Sequence, residues 1–155
     1  MRAIRIKSNK KNEIINIGSF CFNRKNLYFT ENNKRIFIDS EKNLKNLIKK
    51  SDPSFFCFEE GDVHGIALLW KAEANEIKRY YIKIDADCEE SAECLITVLL
   101  WNTNKKEIFI KVKKQSFLIP ILKSKGFKFY HDRGKELLLR RKIYVSNTNN
   151  PSIKG

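Results

Sequence analysis

Five side chains in this 155-residue sequence are placed for proton chemistry: Glu59, His64, Tyr80, Tyr81 and His131. The two histidines titrate near neutrality, and a carboxylate or phenol joins them when its surroundings shift it toward working pH. Each also has a structural explanation. Tyr80 and Tyr81 read as sheet packing with polar tips, His64 as a group at a strand end, and His131 as an exposed turn residue. The four cysteines, Cys21, Cys57, Cys88 and Cys94, show no CxxC spacing. With two histidines available, a zinc site would need ligands from remote segments, so no metal is expected. Reduced thiols in a cytoplasmic protein are the simpler reading.

Charge is distributed in three blocks. Residues 1–50 carry 13 basic and 4 acidic groups, residues 51–104 carry 4 and 11, and residues 105–155 carry 14 and 3. A basic–acidic–basic chain is not a uniform phosphate binder, although its net charge is +13. Lys, Asn and Ile make up 57 of the 155 residues, an AT-rich codon signature that raises lysine without any need for a polyanion. Two basic clusters still merit a functional reading. Arg133-Gly134-Lys135-Glu136 has the composition of a hairpin turn and could face an acidic substrate or a phosphate. Lys111 and Lys113 alternate with Phe109, a mix of charge and aromatic found in nucleic-acid binders, with Lys114 beside them. Lysines that protect a sheet edge explain the same pattern.

The elements that must position these groups follow from periodicity. Ile4 and Ile6 alternate with Arg5 and Lys7 as a short edge strand. Ile14, Ile15, Ile17 and Cys21 recur at helical spacing over 12–22, and Ser40 opens a second helix carrying Leu44, Leu47 and Ile48, stopped by Asp52-Pro53. Residues 27–40 fit either a hairpin or an irregular connection. Strands are expected over 55–58, 63–70 and 77–84, with turns at Glu60-Gly61-Asp62 and 72–76. Tyr80, Ile82 and Ile84 share one face of the third. Ala92, Leu95, Ile96 and Leu99 define a helix over 89–101, with Asp87 as its cap and Glu90 closing a capping box. A strand over 107–112, a helix from Ser116 to Gly126, and strands over 127–130 and 137–142 complete a single α+β domain over 1–142. Residues 143–155 read as a polar tail. No run approaches the ~18 apolar residues of a membrane span. The start, MRAIRIKSNKKNE, has no apolar run after its charges, so no signal peptide is expected.

This β-α-α-β-β-β-α-β-α-β-β order resembles the GCN5-related N-acetyltransferase (GNAT) fold. The sequence ILKSKGFKFYHDRGKELLLRRK at 121–142 resembles the family's final segment, a helix ending in Gly-Phe and followed by two strands. DVHGIALLWKA at 62–72 resembles its third strand. The resemblance implies a mixed, mostly antiparallel, twisted sheet flanked by helices, with acyl transfer from acetyl-CoA to an amine. The strands over 77–84 and 107–112 would splay, and the pantetheine arm would lie between them against the backbone of Ile82 and Ile84. N–H groups of Ser91 and Ala92, at the start of the following helix, would meet the pyrophosphate, with Lys114 adding charge. The base that strips the amine would come from His131, Tyr81 or Glu59.

The chain departs from the family pattern in two places. Where the family has a glycine-rich phosphate segment, residues 85–93 hold no glycine and five carboxylates. Two like charges ~4 Å apart repel by about 4 kcal/mol at an effective dielectric of ~20. Where many members place the tyrosine that protonates the departing thiolate, this chain has Leu122, and the asparagine often found after the fifth strand is absent from KVKKQS unless Gln115 substitutes. Two functions are therefore carried forward. One is a divergent acetyl-CoA-dependent N-acetyltransferase acting on a small-molecule or protein amine. The other is a domain of the same fold that has lost its cofactor and binds nucleic acid or an acidic protein through its basic surfaces.

Overall fold

The computed structural model describes residues 1–7, 10–74 and 77–143. Thirteen elements follow one another: β1 (Arg2–Arg5), α1 (Lys11–Cys21), β2 (Tyr28–Glu31), β3 (Lys34–Phe37), α2 (Glu41–Lys49), β4 (Ser51–Glu59), β5 (Asp62–Ala74), β6 (Ile77–Ala86), α3 (Glu89–Trp101), β7 (Glu107–Lys113), α4 (Leu118–Ser124), β8 (Lys128–Asp132) and β9 (Glu136–Lys142). Seven strands form one sheet in the order β1-β4-β5-β6-β7-β9-β8, antiparallel throughout except for β6 and β7. The remaining two, β2 and β3, form a separate hairpin, which resolves the ambiguous stretch 27–40.

Each strand's alternation feeds two cores. On one face Phe55, Cys57, Ala67, Leu69, Ile82 and Ile110 pack against Leu95, Ile96 and Leu99 of α3 and Leu122 of α4. On the other, Phe56, Ile66 and Leu68 pack against Ile14 and Ile17 of α1, Leu44 and Leu47 of α2, and Phe29 of the hairpin. The central strand β5 therefore reads as a nearly continuous apolar run, because both of its faces are covered. α3 lies so close to the sheet that a Cβ on Gly65 would come within 2.8 Å of Leu95 Cδ1 and 3.0 Å of the Asp85 carbonyl oxygen.

Two hairpins have two-residue turns with both residues at positive φ. These are Asn32-Asn33, between the pair Glu31 and Lys34, and Glu60-Gly61, between Glu59 and Asp62. Several sequence expectations are corrected here. α2 ends at Lys49, with Lys50 as its C-cap, before Asp52-Pro53, and Pro53 lies inside β4 at an irregularity of register, where a missing N–H costs no ladder bond. α4 begins at Leu118 rather than Ser116, whose hydroxyl accepts from the Leu118 N–H. His131 belongs to β8 rather than to the turn after it. Apart from Ile143, the polar tail expected over 143–155 lies outside the described residues. Among the described residues no helix is long and apolar enough to cross a membrane.

Candidate active site

β6 and β7 run parallel and meet at one register pair, Tyr81 with Phe109. Their rings lie 5.7 Å apart, and Phe109 is sealed at 1% exposure beneath Arg79 and Tyr130. Beyond this one pair the strands part, with Leu95 and Ile96 of α3 packed on the sheet face they share. A cleft of about 1340 Å³ opens in the resulting V. Ile82, Ile84, Ile110 and Val112 line it from the α3–α4 side. Tyr81, Lys83 and Lys111 line it from the side covered by the β2–β3 hairpin. Among the described residues no strand pairs with the β7-facing edge of β6 past Tyr81, and a free edge of this kind offers backbone groups to an extended ligand.

The hairpin side of the cleft is built from aromatic rings and cations. Lys83 Nζ sits 4.7 Å from the ring centre of Tyr28 and 5.5 Å from that of Trp70. Burial pushes this amine down to about 8, and the charges of Lys111 and Arg35 push it the same way. Lys111 Nζ lies 5.5 Å from the Tyr81 ring. Arg35 stacks on Tyr28 at 4.5 Å and reaches Glu136 of β9 at 3.6 Å, tying the hairpin across the mouth of the V. At the far wall, Arg24 Nε binds both oxygens of Asp85 at 2.9 and 3.0 Å, its other nitrogen donates to the Ala86 carbonyl, and Asn26 adds a bond at 3.0 Å. Among the described residues, nine lysines and arginines but two carboxylates line the cleft. The basic ends of the chain thus converge here.

The start of α3 is arranged differently. Its cap is Cys88, not Asp87. The Cys88 sulfur accepts from the Ser91 N–H, and the Ser91 hydroxyl receives the Cys88 N–H at 3.3 Å. Asp87 was drawn away from capping by His64, whose Nδ1 lies 2.7 Å from its carboxylate, while the Asp87 N–H donates to the His64 carbonyl. The hydrogen bond to Asp87 raises the His64 pKa. Burial pushes Asp87 up, but its bonds with His64, Cys88 and Ser91 outweigh that and hold it below the usual carboxylate range. The Ala92 N–H already donates to the Cys88 carbonyl. Ser91 and Ala92 are both fully buried and outside the cleft lining, so the N–H groups expected to meet a phosphate are spent within the helix.

The other expected residues are dispersed. Ile82, Ile84, Tyr81 and Lys114 line one cleft, together with Gln115. Lys114 is engaged by Asp132 at 3.1 Å. Glu59, at the end of β4, pairs with the N-terminal amine of Met1 at 3.1 Å. His131 stands exposed on the edge strand β8, and neither it nor Glu59 lines the cleft. Phe109 faces the same way as Lys111 but is buried, which removes the exposed aromatic that a nucleic-acid surface there would need. Leu122 is fully buried in the α3–α4 core. Cys21 and Cys57 are buried, Cys94 is half-buried and Cys88 is exposed. Burial pushes the Cys21 thiol up to about 12, far from a reactive thiolate.

Lys83 is the functional candidate that local sequence pattern hides. It alternates with Ile82 and Ile84 and so reads as an outward, solvated residue. The signal lay in its neighbours of like spacing, Tyr81 and Asp85, which made this a mixed face rather than a polar one.

No protein-family model matches the chain, and no curated protein matches its sequence. Solved structures do. The chain is similar to a GNAT-family acetyltransferase from Streptococcus pneumoniae, with a TM-score of 0.65 at 9% identity over 92% of this chain and 99% of that one. A ribosomal-protein-alanine N-acetyltransferase from Brucella melitensis gives 0.65 at 11% identity over 92% and 100%. The PaiA N-acetyltransferase from Thermoplasma acidophilum, solved with coenzyme A, gives 0.61 at 15% identity over 92% and 99%. The fold of this chain is that of the GNAT acetyltransferases, as the final helix and strand pair implied. At these identities the likeness is one of fold, and the chain is a divergent example of it.

Proposed function

We propose that this chain is an acyl-CoA-dependent N-acyltransferase of the cytoplasm, in which the thioester arm lies in the V between β6 and β7. The observation that carries this reading is the single register pair at Tyr81 and Phe109, beyond which the strands part and the cleft reaches both sheet faces. The residues fit the pantetheine arm. Ile82 and Ile84 would bear on it along the free edge of β6, and the apolar wall of Ile110 and Val112 would exclude water. They do not fit a diphosphate on α3, where the Ser91 and Ala92 N–H groups are used and Glu89 and Glu90 stand exposed. Lys113 at the end of β7, joined by Lys114 once that amine releases Asp132, would meet phosphate instead.

When bound, acetyl-CoA supplies a thioester carbonyl as the electrophile. The amine would approach from the hairpin side, so that donor and acceptor meet at the apex of the V. Of the three residues expected to handle protons, Tyr81 lines the cleft and stands at that apex, while His131 and Glu59 lie elsewhere. Tyr81 is therefore assigned the role of the base that strips the amine, while Leu122, buried in the α3–α4 core, has no proton for the departing thiolate. A calorimetric titration with acetyl-CoA tests the reading: saturable binding in the micromolar range is expected, and no heat at millimolar cofactor would overturn it.

A second reading is supported by a different observation, the excess of cations in a cleft whose nearby helix N-terminus is closed to phosphate. In it the domain binds a polyanion and has no cofactor. That reading requires retention on heparin or DNA to fall linearly with log salt. Retention independent of salt would exclude it.

A further inference from the structure

Lys83 and Lys111 each lie two residues past the Tyr81–Phe109 pair, on β6 and β7 respectively. They line the same cleft on the hairpin side, so they flank the mouth of the V from its two strands. Both carboxylates in the lining are committed elsewhere, Asp85 to Arg24 and Asn26, and Glu136 to Arg35. Lys83 is thus held among Tyr28 and Trp70, with the charges of Lys111 and Arg35 acting against it and that of Glu136, itself paired with Arg35, acting for it. Holding like charges together in a half-buried aromatic pocket costs free energy that an anion would return. The rings of Tyr28, Trp70 and Tyr81 also give the pocket apolar walls, which suit a small organic anion better than a solvated inorganic one.

We propose that the amine acceptor carries a negatively charged group, a phosphate or a carboxylate, seated between Lys83 and Lys111. The identity of this ligand as an acceptor rests on the acyltransferase reading, whereas the anion seat does not. A polycationic amine is disfavoured at this mouth by the same charges. The bound anion keeps Lys83 protonated, which is why Lys83 is a binding residue here and not the base.

Trp70 reports on the seat directly. A Trp101→Phe background, altering a residue 84% exposed and remote from the cleft, leaves Trp70 as the single tryptophan. Its fluorescence is titrated with O-phosphoethanolamine, β-alanine, ethanolamine, spermidine, inorganic phosphate and oligothymidylate. The expected result is a saturable change with O-phosphoethanolamine or β-alanine, none with ethanolamine at equal concentration, and at least tenfold weaker binding in Lys83→Gln and in Lys111→Gln. Both variants must retain the circular dichroism of the parent, and Lys111→Gln serves alone if Lys83→Gln does not fold. Ethanolamine or spermidine binding as tightly, inorganic phosphate binding as tightly as O-phosphoethanolamine, or oligothymidylate binding more tightly than either would overturn the proposal. If acetyl-CoA does not bind but O-phosphoethanolamine does, the acyltransferase reading falls and the seat remains. If acetyl-CoA binds and the amines are not discriminated, the seat falls and that reading remains.

Discussion

Two regions of this molecule could receive an anion, the N-terminus of α3 and the hairpin side of the V, and they are built on opposite terms. The first has the favourable dipole of a helix start, yet Cys88 and Ser91 bond each other's N–H groups and the carboxylates of Asp87, Glu89 and Glu90 stand at it. The second has no helix at all, only lysines and an arginine among aromatic rings. The same acidic middle and basic flanks of the chain produce both. A likeness of fold thus carries over the splayed strands while the electrostatics around them are redistributed.

The contrast can be broken most severely at its far wall. Arg24→Met strips the bidentate partner from Asp85, a carboxylate at 4% exposure, and leaves Asn26 alone on it. A loss of about 3 kcal/mol is expected, read as a lower urea midpoint; an unchanged midpoint would mean that Asp85 finds water. Next in size is catalysis at the apex. Tyr81→Phe should lower turnover about a hundredfold with acetyl-CoA affinity unchanged, and a matching loss of affinity would make Tyr81 a packing residue instead.

Lys83→Met sharpens the comparison from the other direction. Removing a desolvated charge should stabilise the protein by about 1–2 kcal/mol at pH 7. Lys83 ionises near 8 in the fold and near ~10.4 unfolded. The unfolded chain therefore binds the extra proton in between, and the parent gains stability as pH rises through that window. The advantage of the variant should be constant below about pH 8 and vanish above ~10.4, measured by denaturant titration. An advantage that persists at pH 11 would show that packing, not charge, is responsible.

The smallest effect belongs to the closed helix start. His64 has its pKa raised by Asp87, so the pair stabilises the fold fully below the unfolded value of ~6.5 and loses that contribution as pH passes the folded one. His64→Gln should cost no more than about 1 kcal/mol at pH 6 for so exposed a pair, and nothing at pH 9. Equal costs at both would refute the ion pair.

Most of the frame was legible in the sequence because it is written in local periodicity. The i, i+3, i+4, i+7 spacing of Ala92, Leu95, Ile96 and Leu99 specified α3 to its observed bounds, and the alternation of Ile108, Ile110 and Val112 set the inward face of β7. What could not be read depended on residues far apart in the chain. Asp87 looked like the cap until His64, 23 residues earlier, occupied it. Asp85 looked like a repulsive charge until Arg24, 61 residues earlier, neutralised it. The hairpin that confines Lys83 was ambiguous because Asn32-Asn33 turns tightly only by both residues adopting positive φ, a property that asparagine permits but does not impose.

The central claim is that the V between β6 and β7 holds an acyl-CoA arm whose phosphates rest on side chains and not on the start of α3. Calorimetric titration of the intact chain with acetyl-CoA at low and physiological salt tests it most directly. The account predicts saturable micromolar binding that weakens several-fold at the higher salt, as screened lysine contacts must. Absence of heat at millimolar acetyl-CoA, or binding indifferent to salt, would contradict it.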